Sequence, residues 1–265
     1  MPRRDLPGIL WLPAAVAVLL LALPLVALIT RVPWTRAGAL LAAPESLSAL
    51  LLSLGTALAA TAAALVLGVP LAAVLASSDR WPTPARRLLR AAVTVPLVLP
   101  PVVGGIALLL LLGRQGLVGA PLQSLTGITV PFTTPAVVLA QTFVSMPFLV
   151  LAVEGALRGA DPRYGIVAAS LGASRWHAFR RVTLPLVAPG LVSGAVLCFT
   201  RALGEFGATI TFAGSLPGVT RTLPVAAYLG LQTSPDSAIV LALLLLAVSV
   251  VVLVSLRDRW LRVGA

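Results

Sequence analysis

The sequence predicts an all-α protein that crosses a membrane six times, as one domain over residues 1–265. Three observations lead there. Hydrophobic residues make up 59% of the chain, charged residues 10%, and the mean hydropathy is +1.05. A water-soluble domain has too little interior to hide that much apolar surface, so the bilayer is the solvent. Apolar runs long enough to span recur at roughly 9–29, 48–76, 92–112, 132–156, 184–209 and 237–256. The charges fall between those runs, and all 19 basic residues are Arg.

The first run follows Arg3 and Arg4, as the core of a signal peptide would. It is longer than such a core, and no small-x-small cleavage site precedes Arg31, so it reads as a retained helix. Pro24 here and Pro70 in the second run are expected to bend or end their helices. The second run carries Ser53, Gly55, Thr56, Ala59, Ala60, Ala63, Ala64 and Gly68. Such small side chains let helices approach closely, in a bundle core or at a subunit interface. This run and the fifth exceed the ~20 residues a crossing needs, through tilt or extension past the lipid. Pro96, Pro100 and Pro101 break the third run near its start. The result is either a kinked packing helix or an irregular one lining a pathway.

Arginine placement orients the chain. With the N-terminus cytoplasmic, the inner segments hold Arg3, Arg4, Arg80, Arg86, Arg87, Arg90, Arg158, Arg163, Arg175, Arg180, Arg181, Arg257, Arg259 and Arg262. The outer segments hold only Arg31, Arg36, Arg114 and Arg221. Fourteen against 4 is a strong positive-inside bias, so both termini are expected in the cytoplasm. The net charge of +11 thus serves topology and argues for no nucleic-acid partner.

Between the fourth and fifth runs lies a basic hairpin, residues 157–183. Asp161-Pro162 reads as a helix start. Gly172 ends that helix or turns the chain, and Ser174 caps a second short helix from Arg175 to Arg181. Trp176 and Phe179 share a face there by i,i+3 spacing, with Arg180 beside them. Leu184-Pro185 marks the start of the fifth span. On spacing alone the hairpin is either an interfacial anchor or a docking element.

Covalent chemistry finds no support. Cys198 and His177 are single, which excludes an intrachain disulfide and a multi-Cys or multi-His metal site. There is no Gly-rich phosphate loop and no Lys to place in one, so no catalytic, metal or cofactor residue is assigned.

The stretch Gly165 to Ser174, followed by Leu184-Pro185, resembles the cytoplasmic EAA loop of binding-protein-dependent ABC importer permeases. Gly172 takes the place of that loop's glycine. The loop's usual Glu is Ile166 here and its first Ala is Val167, while Ala168 keeps the second. Arg201 to Thr209, then Phe212-Ala213-Gly214 and Thr220 to Pro224, resembles the molybdate/tungstate branch of those permeases, with sulfate permeases close by. The resemblance covers about Leu47 to Arg257. It implies a type I (MetI-like) importer permease that moves molybdate or tungstate into the cytoplasm, with sulfate or thiosulfate as the alternative cargo. It also implies a permease homodimer in the cell membrane, two cytoplasmic ABC ATPase subunits that bind ATP and Mg, and an extracytoplasmic oxyanion-binding protein. Ala168, Gly172, Ser174, Arg175, Trp176, Phe179, Arg180, Leu184 and Pro185 would then form the ATPase-coupling loop. An ion-gradient-driven carrier or channel is the alternative of another class.

Arg201 and Glu205 stand four apart within the fifth run. Charges at that depth are costly and face a bundle interior or an aqueous path. Two roles stay open: a salt bridge holding helices or the dimer, or a pathway pair in which Arg201 attracts an oxyanion and Glu205 limits its binding. Gly204 and Gly207 would permit close contact between two copies. Thr209 and Thr211 would offer hydroxyls near the outer end.

Overall fold

The computed structural model describes residues 8–161 and 163–261. Arg3, Arg4, Pro162 and Arg262 lie outside them, as do the side chains of Arg80, Ile166, Arg257 and Arg259. Among the described residues every regular element is helical. In order these are α1 (Trp11–Thr30), α2 (Trp34–Ala42), α3 (Pro44–Ser77), α4 (Thr83–Val98), α5 (Pro101–Leu112), α6 (Gly119–Thr126), α7 (Thr134–Gly159) and α8 (Arg163–Ser170). They continue with α9 (Arg175–Ala178), α10 (Leu184–Leu203), α11 (Gly207–Phe212), α12 (Leu223–Thr233) and α13 (Pro235–Leu261).

Five stretches among the described residues are long and apolar enough to cross unbroken: α1, α3, α7, the run Arg175–Leu203, and Pro235–Val252 of α13. α4 and α5 are bent by 118° to one another at Leu99–Pro100 and make a sixth only when the pair is counted as one broken span. The expected span 92–112 is therefore not one helix. Pro100 and Pro101 supply no backbone N–H, and Leu99, preceding Pro, takes an extended conformation that no helix can continue. The expected span 184–209 also needs correction. Its helix stops at Leu203, and Gly204 to Phe206 break it before α11 begins. Pro24 and Pro70, by contrast, end nothing: α1 and α3 run through them.

α7 is the centre of the bundle, packed against α3 and α10. α3 buries a stripe of small residues, Ser53, Thr56, Ala57, Ala60, Ala64, Gly68 and Ala72; Ala64 and Ala72 pack with Leu149, Val150 and Val153 of α7, Ala57 and Ala60 with Ala202 and Leu203 of α10, and Ser53 Oγ accepts from the Leu223 N–H of α12. A Cβ on Gly68 would already touch Val150, Leu149 and Met146 at 3.2–3.3 Å. Gly55 and Ala59, on the other face of α3, stay exposed. α10 brings Gly190 and Gly194 against Ala156 and Ala152 of α7, so two backbones meet over paired small residues. Nothing drives apolar faces together inside lipid, so close van der Waals contact of this kind supplies the association. α1 buries none of its residues in this chain.

Candidate functional site

Three groups of functional side chains emerge from this frame. The first is the basic hairpin. Asp161 starts α8 by accepting a hydrogen bond from the Arg163 N–H at 2.9 Å. Gly172 ends it at φ +81°, a conformation that glycine reaches without strain. The Ala173 N–H bonds the Ala168 carbonyl and the Gly172 N–H bonds the Ala169 carbonyl, both at 3.0 Å, which closes a Schellman turn. Ser174 Oγ then accepts from the His177 N–H at 3.2 Å and caps α9. Trp176 and Phe179 stack, with ring centroids 6.0 Å apart.

A π-helical segment, Phe179–Thr183, joins α9 directly to α10. The expected second short helix is therefore the first part of the fifth span, and Leu184-Pro185 lie inside a continuous helical run. Trp176 and α10 thus belong to one continuous helical run. Ala168 is buried, whereas Gly172, Ser174, Arg175, Trp176, Arg180 and Pro185 are exposed and Phe179 and Leu184 half-buried. Among the described residues Arg163, Arg175, Arg180 and Arg181 make no ion pair. The hairpin thus presents free cations beside exposed Tyr164, Val167, Leu171 and Trp176, a surface suited to a protein partner.

The second group was missed in the sequence. Arg158 does not belong to that free surface. Its Nε donates to Glu154 Oε1 at 2.8 Å, its Nη1 to Asp79 Oδ2 at 2.8 Å, and its Nη2 to the Leu75 carbonyl at 3.0 Å. Arg90 of α4 reaches the same Glu154 oxygen at 2.5 Å. Glu154 is buried, so one carboxylate ties α4 to α7 while Arg158 ties α7 to the end of α3. The Arg158 hydrogen bond, helped by the charges of Arg86 and Arg90, holds the Asp79 carboxyl below its usual range. The i,i+4 spacing of Glu154 and Arg158 was a visible signal. The partners 64 and 79 residues away were not.

The third group is Arg201 with Glu205. They form a pair at 2.6 Å, but not along one helix, since Glu205 lies in the break after α10. The guanidinium N–H points off the line, so this is an ion pair without an aligned hydrogen bond. Glu205 is 1% exposed, and its Oε1 accepts from the Ala208 N–H at 2.8 Å. The carboxylate thus caps α11 and neutralises Arg201 at once. Arg201 keeps 28% of its side chain exposed and lines the cleft at the α4–α5 bend.

Gly207 is buried, and a Cβ there would lie 3.0–3.2 Å from Pro101 and Val102 of the same chain. Thr209 is fully buried and its hydroxyl has no hydrogen-bond partner. Thr211 bonds the Gly207 carbonyl within α11. Gly204 stays exposed. On the opposite side of the bundle from the hairpin, Arg221 is drawn back onto Ser215, to its Oγ at 3.0 Å and its carbonyl at 3.2 Å.

A bundle of apolar spans, an exposed basic hairpin and buried carboxylates paired with arginines describe a polytopic membrane protein. The chain belongs to the family described as binding-protein-dependent transport system inner membrane component, which matches residues 64–263. It is thus a multi-pass inner-membrane transport component, which sets aside the ion-gradient alternative. It is 53% identical to the molybdenum transport system permease protein ModB of Mycobacterium tuberculosis, over 97% of this chain and 96% of that one. It is 34% identical to the sulfate transport system permease protein CysT of Escherichia coli, over 99% and 96%. Among solved structures, a bacterial ABC transporter importing the acidic polysaccharide alginate superposes with a TM-score of 0.72 at 19% identity, over 97% and 95%. The fold is accordingly that of the MetI-like importer permeases.

Proposed function

We propose that this chain is the permease subunit of an ATP-driven importer carrying molybdate, or tungstate, into the cytoplasm. The observation that carries this reading is the 53% identity, along nearly the whole chain, to a molybdenum transport permease. The lower likeness to a sulfate permease runs over the same length and makes sulfate or thiosulfate the competing cargo.

In the working assembly two copies of this chain meet two cytoplasmic ABC ATPase subunits and an extracytoplasmic protein that delivers the anion. The termini and residues 157–183 lie in the cytoplasm, as the arginine bias requires. This chain performs no covalent chemistry; ATP and Mg act on the partner ATPases. When ATP draws those subunits together they pull on Trp176 and its neighbours. The continuous run Arg175–Leu203 carries that displacement to Arg201 near its far end. Nucleotide and cargo thereby bias the same two states from separate sites.

The test is uptake of labelled molybdate by the complete complex in liposomes, with unlabelled tungstate and sulfate as competitors. Tungstate is expected to compete at concentrations where sulfate does not. Equal competition by sulfate would assign the chain to sulfate transport, and ATP-independent uptake would refute the importer reading altogether.

A further inference from the structure

The bend between α4 and α5 opens a cleft of about 280 Å³. Its walls include Pro96, Leu99 and Pro100 from the bend and Val144 and Phe148, one turn apart on α7. Arg201 is the one charged residue that lines it. We propose that this cleft is a transit site for the cargo, where a tetrahedral oxyanion dianion rests against the Arg201 guanidinium between leaving its delivery protein and reaching the cytoplasm. This inference rests on the importer reading above and adds the place and the contact.

Four features of the molecule fit that use. The volume accommodates a five-atom anion with several of its waters, so full dehydration is not required. The other side chains that line it are apolar, and a wall of low dielectric strengthens a single cation's attraction for an anion relative to water. Glu205 sits behind the guanidinium, 1% exposed and hydrogen-bonded to the Ala208 N–H. It therefore cannot touch the anion. It is a positioning residue that fixes Arg201 and offsets part of its charge. One partly neutralised cation against a dianion makes a weak station, as transit requires. The same α4 that forms the bend is tied by Arg90 to Glu154 of α7, so the cleft has a defined shape in this state.

The experiment uses the complete complex, with ATPase and delivery protein, in liposomes. Uptake per ATP hydrolysed is compared for wild type, Arg201→Lys, Arg201→Gln and the double variant Arg201→Gln/Glu205→Gln. The double variant keeps the pair neutral and retains an oxygen for the Ala208 N–H, so it is the variant that preserves the fold. Uptake per ATP is expected to fall about tenfold in both Gln variants, the scale of one lost charge-assisted hydrogen bond, and less in the Lys variant. A fall smaller than about threefold in the double variant would overturn the site. A second measurement is independent of these substitutions. Leu99→Cys is exposed to a membrane-impermeant anionic thiol reagent during turnover; Cys198, the one native thiol, is fully buried. Molybdate is expected to slow the modification, and equal rates with and without it would also overturn the site. A wild-type complex that imports no tetrahedral anion would refute the importer reading instead, so the two failures are distinct.

Discussion

Removing Glu205 tests whether one buried carboxylate holds two elements together. Glu205→Ala leaves the Arg201 guanidinium without its counter-charge and the Ala208 N–H without its acceptor. Breaking a buried ion pair from one side costs about 3–5 kcal/mol. Arg201 retains 28% exposure and recovers some solvation, which places the cost near the lower end, about 3 kcal/mol. For a chain of this size each kcal/mol shifts Tm by roughly 2–4 °C, so the variant should melt roughly 6–12 °C lower. Glu205→Gln keeps an oxygen for the Ala208 N–H and loses only the charge, so it should show about half that drop. The assay is thermal unfolding in detergent, followed by tryptophan fluorescence. A Glu205→Ala protein melting within about 2 °C of wild type would refute the reasoning. So would Ala and Gln variants that melt together, because the capping bond would then contribute nothing.

Four further outcomes follow from the geometry. A Cβ on Gly105 would overlap Thr211 Oγ1 and lie 2.8 Å from the Ala208 carbonyl oxygen, so Gly105→Ala should cost about 1–3 kcal/mol by forcing α5 from α11, read as a lower Tm. Gly172 has open space around a Cβ but φ +81°, so Gly172→Ala carries backbone strain alone, about 1 kcal/mol. Gly172→Pro, which cannot adopt that φ and loses the bond to Ala169, should insert normally yet take up far less anion per ATP; normal uptake would sink the hairpin's coupling role. Asp79, held below the usual carboxylate range chiefly by the Arg158 hydrogen bond, contributes stability above its unfolded pKa that is lost as pH falls through the lower folded value. Acidification below about pH 4 should therefore lower the Tm of wild type more than that of Asp79→Asn, as melting curves across acid pH would record.

Much of this molecule is legible in its sequence. Apolar length, arginine placement and the caps at Asp161 and Ser174 each depend on a few adjacent residues, and so does the left-handed turn at Gly172. The free energies that decide them are local: backbone groups need partners within a turn, and apolar side chains need lipid over about 20 consecutive residues. Pro100 and Pro101 announced a break by the same logic, since each removes a backbone donor; Pro96, expected to share in that break, lies inside α4 and ends nothing.

The sequence could not say how far the chain turns there, 118°, or that the opening would meet Arg201 a hundred residues on. Spacing placed Arg201 and Glu205 on one helix face. The structure instead ends α10 at Leu203 and gives Glu205 a second task at the start of α11. The cluster of Asp79, Arg90, Glu154 and Arg158 joins three helices through partners far apart in the chain. Local sequence determined which segments enter the membrane and how their ends are closed, because those energies are settled between near neighbours. Only the tertiary structure decided which charges meet, because a buried ion's partner is chosen by the packing of small residues that brings distant backbones together.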